Sequence, residues 1–162
     1  MIYFYGGAFN PMTVTHQEII ADLIANMTDK DRLIIAITTH DYKTYQFPYE
    51  VRKEIITKNL ARIPAENKKI RIIEQNKRTW KFLQSMTMEQ ITIVLGEDEY
   101  KDLEKGYWHN SQDLLNTYKF KIIPRTNNIS ATAAREIINT NINDPDILKY
   151  ITPTTLEYIK SL

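Results

Sequence analysis

Two hydrophobic periods alternate along this chain, and their alternation predicts a sheet interleaved with helices. Short, mainly apolar runs predict five strands at residues 2–5, 33–38, 70–73, 91–95 and 120–123, and the run at 33–38 is continuous, as buried parallel strands tend to be. Apolar residues at helical spacing predict intervening helices at 15–27, 48–60, 79–88, 98–103, 111–115, 130–139 and 153–162. Strands separated by helices favour an α/β fold: one doubly wound parallel sheet of about five strands, with helices on both faces.

Length and composition agree with one ordinary globular domain over residues 1–162. The chain has 21 basic and 20 acidic side chains, and this balance gives no electrostatic footprint for nucleic acid. It has no cysteine, which excludes disulfides and thiolate metal sites. No apolar run approaches the ~20 residues of a membrane span, and no signal peptide is evident. We therefore expect a cytoplasmic protein without nucleic-acid or membrane partners. Both a monomer and a homo-oligomer are compatible with such a fold.

Two turns, each between a predicted strand and a predicted helix, carry the strongest chemical signal. The first runs from Gly6 to His16 and the second from Ile129 to Arg135. A strand–turn–helix unit aims backbone N–H groups and a helix dipole at one point, where phosphate binds. Gly6 and Gly7 would allow positive φ and a close approach of the backbone to phosphate. We expect one polyphosphate to be held by both turns.

The helix that follows the first turn has a predicted start of its own. Thr15 and Glu18 have the spacing of a capping box, with Thr15 as the N-cap. His16 would then lie in the first turn, where the helix dipole disfavours its charged form and leaves a neutral imidazole. In the second turn, helical side chains lean toward the N-terminus, so the Arg135 guanidinium would point back toward the phosphate.

Each of these residues also has a plainer interpretation. Gly6 and Gly7 fit a tight turn, and His16 fits a surface position. Lys43 and Arg52 fit solvated charges. Asp98 would favour a helix dipole, and Ser130 would serve as an N-cap. The phosphate-site interpretation gains from position, because candidate residues follow predicted strands and so gather at the carboxyl edge of the sheet, where ligands bind. Those candidates are Gly6, Gly7, His16, Lys43, Gly96, Asp98, Arg125, Ser130 and Arg135.

The two turns resemble the motifs of nucleotidyltransferases that transfer AMP from ATP to a phosphorylated acceptor. Gly7 to His16 is similar to Gly-x-Phe-Asp/Asn-Pro-x-His/Thr-x-Gly-His, and Ile129 to Arg135 matches Ile-Ser-x-Thr-x-x-Arg. Three further segments, at 96–108, 123–125 and 150–159, resemble the bacterial nicotinate mononucleotide adenylyltransferases. The resemblance covers nearly the whole chain and implies a Rossmann-like fold.

The resemblance implies a reaction and a role for each matching residue. AMP would pass from ATP to nicotinate or nicotinamide mononucleotide with release of pyrophosphate, a step of NAD biosynthesis. The small-molecule substrates would be ATP and a mononucleotide; Mg²⁺ would enter with ATP, and no protein metal site is expected. The implied catalytic residues are Thr13, His16 and Arg135. The implied ATP-binding residues are Gly6, Gly7, Ala8, Phe9, Gly96, Asp98, Arg125, Ser130 and Thr132. The implied acceptor-binding residues are Asn10, Lys43, Thr79 and Trp108, the last as a stacking platform or, alternatively, a core tryptophan.

Two departures from the motif leave alternatives open. Thr13 replaces the first motif histidine, as in the phosphopantetheine adenylyltransferases, which are one alternative. Thr15 replaces a glycine, and this suggests a second alternative, a nucleotide-binding homologue that has lost catalysis. A third, a fragment of a class I aminoacyl-tRNA synthetase, is disfavoured because the chain is short and not basic.

Overall fold

The computed structural model describes residues 1–86 and 90–162, which form two compact units. The first, here called the sheet unit, comprises Met1–Gly7, Met27–Lys43 and Asn67–Thr126. The second, the helical unit, comprises Ala8–Asn26, Thr44–Glu66 and Asn127–Leu162. The assignment of residues 1–162 to a single domain stays a prediction.

All five predicted strands form and belong to the sheet unit, each with slightly wider bounds than predicted. They are β1 (Ile2–Gly7), β2 (Arg32–Thr38), β3 (Lys69–Gln75), β4 (Ile91–Gly96) and β5 (Lys119–Ile123). All pair in parallel, in the order β3-β2-β1-β4-β5. The order reverses between β1 and β4, which is the switch point where doubly wound sheets bind ligands. Gly7 and Gly96 are the last residues of these two strands. The predicted α/β class and parallel sheet are confirmed.

The helices also lie where the periodicity predicted them. In chain order they are α1 (Val14–Asn26), α2 (Tyr49–Leu60), α3 (Thr79–Gln84), α4 (Glu97–Glu104), α5 (Ser111–Thr117), α6 (Ala131–Asn141) and α7 (Pro153–Ser161), with a 3₁₀ helix over Pro145–Lys149 before α7. The predicted bounds are within a residue or two of these for most helices. The third helix is shorter than the predicted 79–88, because α3 ends at Gln84 and Ser85 and Met86 are not helical; residues 87–88 lie outside the described residues. Within the described chain, every helix falls short of the length and hydropathy that a membrane span requires.

The core of the sheet unit explains why its central strands are apolar throughout. β1, β2 and β4 have strand neighbours on both sides, and their inward residues form one buried cluster. Phe4, Ile34 and Ile93 are members, and Leu103 of α4 and Leu114 of α5 complete it from the helices. Fully covered strands need no polar alternation, which is why continuous apolar runs identified them.

In the helical unit, a polar network joins α2 to α7. The side chain of Asn59 is buried; its Nδ2 donates to the Ile55 carbonyl and to Thr155 Oγ1, at 2.8 Å each. Thr152, the N-cap of α7, donates its hydroxyl to Asn59 Oδ1 at 2.7 Å. Both the nitrogen and the oxygen of the Asn59 carboxamide are therefore hydrogen-bonded, as buried amides require. The network therefore fixes the start of α7 against α2.

Candidate functional site

The first turn differs from its prediction in where the backbone bends. Gly6 and Gly7 are strand residues of β1, and the positive φ belongs to Phe9, at 46°. The expectation that these glycines supply positive φ is therefore wrong. Gly6 has a packing reason instead: a Cβ there would lie 3.1 Å from Gln75 Oε1 and 3.2 Å from Phe4 Cε1, tighter than ordinary contact. Glycine at this position lets the Gln75 side chain approach the strand.

Gln75 in turn contacts a predicted acceptor-binding residue of the sheet unit. This side chain is buried, and its Nε2 donates to the Lys77 carbonyl at 3.0 Å and to Thr79 Oγ1 at 3.3 Å. Gly6, Gln75 and Thr79 thus pack in one line at the carboxyl ends of β1 and β3.

Three hydrogen bonds hold the loop of residues 8–10 within the helical unit, and a fourth joins two of the residues that make them. Arg52 donates from Nη1 to the Ala8 carbonyl and from Nε to the Phe47 carbonyl, both at 2.9 Å. The Phe47 N–H donates to Asn10 Oδ1 at 3.0 Å, and Arg135 Nη1 donates to the Asn10 carbonyl at 2.7 Å. Asn10 is only 5% exposed, so its side chain serves the loop in this structure.

Arg52 is a residue that the sequence interpretation missed. It is 2% exposed rather than solvated, and its guanidinium stacks 4.2 Å from the centre of the Tyr45 ring. The signal was present in the spacing: the buried residues of α2 are Arg52, Ile55, Ile56 and Asn59, which recur at helical intervals. Arg52 therefore belongs to the inner face of its helix.

Helix α1 starts one residue earlier than predicted and has a different cap. Thr13, not Thr15, occupies the cap position: Thr13 Oγ1 accepts from the His16 N–H at 3.3 Å. In return, His16 Nδ1 accepts from the Thr13 N–H at 2.9 Å. The capping box of Thr15 and Glu18 is therefore wrong. The imidazole of His16 takes the part that a Glu or Gln carboxyl or amide plays in such boxes.

This reciprocal cap settles the state of the His16 ring. Burial lowers the pKa of His16 to about 4, so the imidazole is neutral at physiological pH. Since Nδ1 accepts a hydrogen bond from a backbone N–H, the ring proton resides on Nε2. The edge-to-face contact with Phe9, at 5.0 Å between ring centres, helps to hold the ring plane. The expected neutral state of His16 agrees with this lowered pKa, and burial is its cause.

The second turn also belongs to the helical unit and is built around the start of α6. Ser130 is the N-cap, and its Oγ accepts from the Ala133 N–H at 3.1 Å. Arg135 Nη2 donates to Thr132 Oγ1 at 3.1 Å, so the guanidinium turns back toward the start of the helix. The helical unit thus brings Thr13 and His16 into direct contact and ties Arg135 to the backbone of Asn10.

The remaining predicted residues lie in the sheet unit. Gly96 is the N-cap of α4. Arg125 donates its backbone N–H to Glu97 Oε1 and its Nη1 to Asp98 Oδ2, at 2.8 Å each. Both side chains of the Arg125–Asp98 ion pair are about half exposed, so it contributes little to stability and leaves both groups accessible.

Two predicted acceptor-binding residues of the sheet unit have aromatic surroundings. Lys43 is exposed, with Nζ 5.9 Å from the centre of the Tyr42 ring. Tyr42 stacks on His40 at 5.0 Å and lies 4.9 Å from the Arg78 guanidinium. Trp108 is partly buried and packs against the core cluster. Its role as a stacking platform stays a prediction, as do the individual roles of the other residues.

Comparisons with known proteins place this arrangement in a family. The model of the family described as cytidylyltransferase-like matches residues 4–145. The chain belongs to this family. The relationship that the two turn motifs predicted is thereby confirmed.

Two curated relatives and one solved structure are similar to this chain. The chain is 27% identical over 152 residues to a probable nicotinate-nucleotide adenylyltransferase of Fusobacterium nucleatum, covering 85% of this chain and 75% of that protein. It is 29% identical over 139 residues to a protein of the same name from Acholeplasma laidlawii, covering 78% and 69%. The fold is similar to that of Plasmodium falciparum nicotinic acid mononucleotide adenylyltransferase complexed with NaAD, with a TM-score of 0.76, 21% identity, and coverage of 99% and 94%.

Proposed function

We propose that this protein transfers AMP from ATP to nicotinate or nicotinamide mononucleotide and releases pyrophosphate. The observation that carries the proposal is the capped turn of the helical unit. Thr13 fixes a neutral His16 with its proton on Nε2, and Arg135 is bonded to the same loop at Asn10. One neutral donor and one permanent cation in a turn of this kind suit phosphate oxygens. The names of both curated relatives support the pyridine-nucleotide acceptor over phosphopantetheine.

The reaction needs no protein nucleophile. A phosphate oxygen of the acceptor attacks the α-phosphorus of ATP, the bond from that phosphorus to the bridging oxygen breaks, and pyrophosphate leaves with the bonding electron pair. Charge on the transferring group is stabilised by positioned donors, which is the main source of rate in such transfers. His16 Nε2–H and the Arg135 guanidinium would supply these donors. Thr13 acts by holding the His16 ring.

Magnesium would arrive with ATP as part of the substrate. Mg²⁺ keeps several waters and is commonly bound through substrate phosphates. Among residues 1–86 and 90–162, no three His, Asp or Glu side chains form a metal-binding group. The ion would neutralise phosphate charge when bound, while the chain's own residues orient the α-phosphate.

The structure also bears on the alternative of lost catalysis, which Thr15 suggested. The Thr15 hydroxyl donates to Asn127 Oδ1 at 3.2 Å, so this side chain has a partner within the helical unit. A threonine in place of the motif glycine is therefore accommodated by a specific contact. This supports an active transferase.

The proposal is tested by pyrophosphate release from ATP and Mg²⁺ with three acceptors in parallel: nicotinate mononucleotide, nicotinamide mononucleotide and 4′-phosphopantetheine. We expect turnover with a pyridine nucleotide. The His16→Ala variant should lose a factor on the order of 10²–10³ in kcat, the usual effect of removing one preorganised donor. His109→Ala, in an exposed loop of the sheet unit, is the matched control and should keep normal turnover. Turnover with phosphopantetheine alone, or none with any acceptor, would overturn the proposal.

A further inference from the structure

One carboxamide oxygen joins the two phosphate-binding turns of the helical unit. Asn127 Oδ1 accepts from Thr15 Oγ1 at 3.2 Å and from the Ile129 N–H at 3.0 Å. Thr15 lies in the first turn of α1, next to His16, and Ile129 is the first residue of the second turn. The three residues, here called the Thr15 bridge, connect the start of α1 with the segment that leads into α6.

The Thr15 bridge holds the exposed segment that leads into α6. Asn127 lies three residues before Ser130, the N-cap of α6, and its flanking residues Thr126 and Asn128 are exposed. An exposed segment of this kind is held mainly by its hydrogen bonds. Thr15 adds a bond from a rigid helix start, which ordinary Asx turns lack.

A second contact also connects α6 with the first turn. Arg135 Nη1 donates to the Asn10 carbonyl at 2.7 Å, so α6 is tied to the first turn at both ends of the second motif. Two contacts fix the orientation of α6 relative to the first turn, whereas a single contact would leave the helix free to rotate about it. The alignment of Arg135 with His16 therefore depends on both.

We propose that Thr15 is a positioning residue, which through Asn127 fixes the start of α6, and with it Arg135, relative to His16. The inference rests on the proposed transfer of AMP. It also gives a reason for threonine where related motifs have glycine: the Thr15 hydroxyl makes a hydrogen bond to Asn127, which a glycine could not make. A small displacement of a catalytic group lowers turnover steeply, by up to about 10²-fold for 1 Å.

The test compares variants that differ only in the hydroxyl. Thr15→Val keeps the shape and loses the donor, and Thr15→Ser keeps the donor. We expect Thr15→Val to lower kcat about 5-fold, the factor that one net hydrogen bond represents, with KM for ATP nearly unchanged. Thr15→Ser should restore kcat. Thr140→Val, which removes an exposed hydroxyl from α6 bonded to the Glu136 carbonyl, is the control and should behave as wild type.

A double-mutant cycle separates the bridge from independent effects. Asn127→Ala should lower kcat, and adding Thr15→Val to it should cost nothing further, because both act through one contact. Asn141→Ala is the matched control, since Asn141 Oδ1 also accepts the N–H two residues on, at Asn143, but at the far end of α6. Additive losses in the cycle, or a Thr15→Val variant with wild-type kcat, would overturn the proposal.

Amide hydrogen exchange over residues 126–134 reads the bridge without catalysis. Thr15→Val should accelerate exchange in this peptide about 5-fold, and Thr15→Ser should not. An active wild type with unchanged exchange in Thr15→Val refutes the bridge alone. An inactive wild type with accelerated exchange in that variant refutes the proposed reaction and leaves the contact itself supported.

Discussion

At the scale of single residues, the chemistry of the first turn is decided by which atom of His16 carries the proton. A buried backbone N–H, that of Thr13, points at Nδ1 and must find an acceptor there. A protonated Nδ1 would leave that donor unpaired and place a charge in a partly buried position. Burial, which lowers the pKa of His16 to about 4, and the cap of α1 therefore favour the same neutral tautomer.

This state has a consequence for stability that depends on pH. The pKa of His16 is lowered from 6.5 to about 4 on folding, so the unfolded chain binds more protons between those values. The free energy of unfolding should consequently fall as pH is lowered from about 6.5 toward 4. In His16→Asn, whose carboxamide oxygen can accept from Thr13 but never takes up a proton, this part of the decrease should be absent. Urea unfolding of both proteins at pH 7.5, 6, 5 and 4.5 measures the difference.

A second histidine, His40, also contributes to the pH dependence of stability, but its contribution cancels between the two proteins. Burial first, and then the charges of Lys43 and Arg78, lower the pKa of His40 as well, so wild type and His16→Asn share its contribution. The difference between the two proteins isolates His16. A difference that stays constant from pH 7.5 to 4.5 would contradict the assignment of a neutral, buried ring.

At the scale of elements, α2 shows why a polar residue can belong to an inner face. The helical spacing of Val51, Ile55, Ile56 and Leu60 indicates one apolar face, whereas the structure buries Arg52 and Asn59 with Ile55 and Ile56 and leaves Val51 and Leu60 partly exposed. Hydrophobicity places Arg and Asn at the surface. Here Arg52 donates to carbonyls outside the helix and Asn59 donates to the hydroxyl of Thr155 in α7, so this pairing depends on the tertiary structure.

Replacing Arg52 tests this element directly. In Arg52→Lys, a single ammonium on a flexible stem cannot reproduce the fork that reaches the Phe47 and Ala8 carbonyls together. At least one buried carbonyl would lose its donor, so we expect a loss of about 2 kcal/mol in the free energy of unfolding. Lys58→Met in the same helix, which removes an exposed ion pair with Glu54 and a cation–π contact with Tyr158, should change it by no more than about 1 kcal/mol. Equal effects of the two substitutions in urea unfolding would show that the hydrogen bonds of Arg52 to the Ala8 and Phe47 carbonyls do not stabilise the fold.

The elements also show which features of the site were predictable from the sequence. Periodicity located the strands and helices, and the lean of helical side chains gave the direction of Arg135. The N-cap of α1 was misplaced because Thr13 and Thr15 are both good caps. What decides between them is the His16 ring, which accepts from the Thr13 N–H in place of the Glu or Gln that marks such a box in a sequence. Likewise, the positive φ fell on Phe9 because β1 continues through both glycines.

At the scale of the whole molecule, the sheet was predictable because its buried strands need no alternation of polar and apolar residues. The division into a sheet unit and a helical unit was not, since the chain passes between them several times and no composition shift marks the boundaries. The strand order is also non-local. It places the ends of β1 and β4, Gly7 and Gly96, at the switch point, the position where doubly wound sheets bind ligands.

If the folded protein binds ATP with Mg²⁺, it should be stabilised as a whole by mass action. At a ligand concentration 100 times Kd, the gain is about 2.7 kcal/mol, which corresponds to a rise in Tm of roughly 5–10 °C for a chain of this size. Removing Mg²⁺ with EDTA should reduce the shift, because the phosphate charges then repel one another without a counterion. Adenosine with Mg²⁺ is the control: it has the base and the sugar but no phosphate for His16 and Arg135. An equal rise in Tm with adenosine and with ATP, measured by scanning calorimetry, would mean that the two turns proposed to bind phosphate contribute nothing to nucleotide affinity.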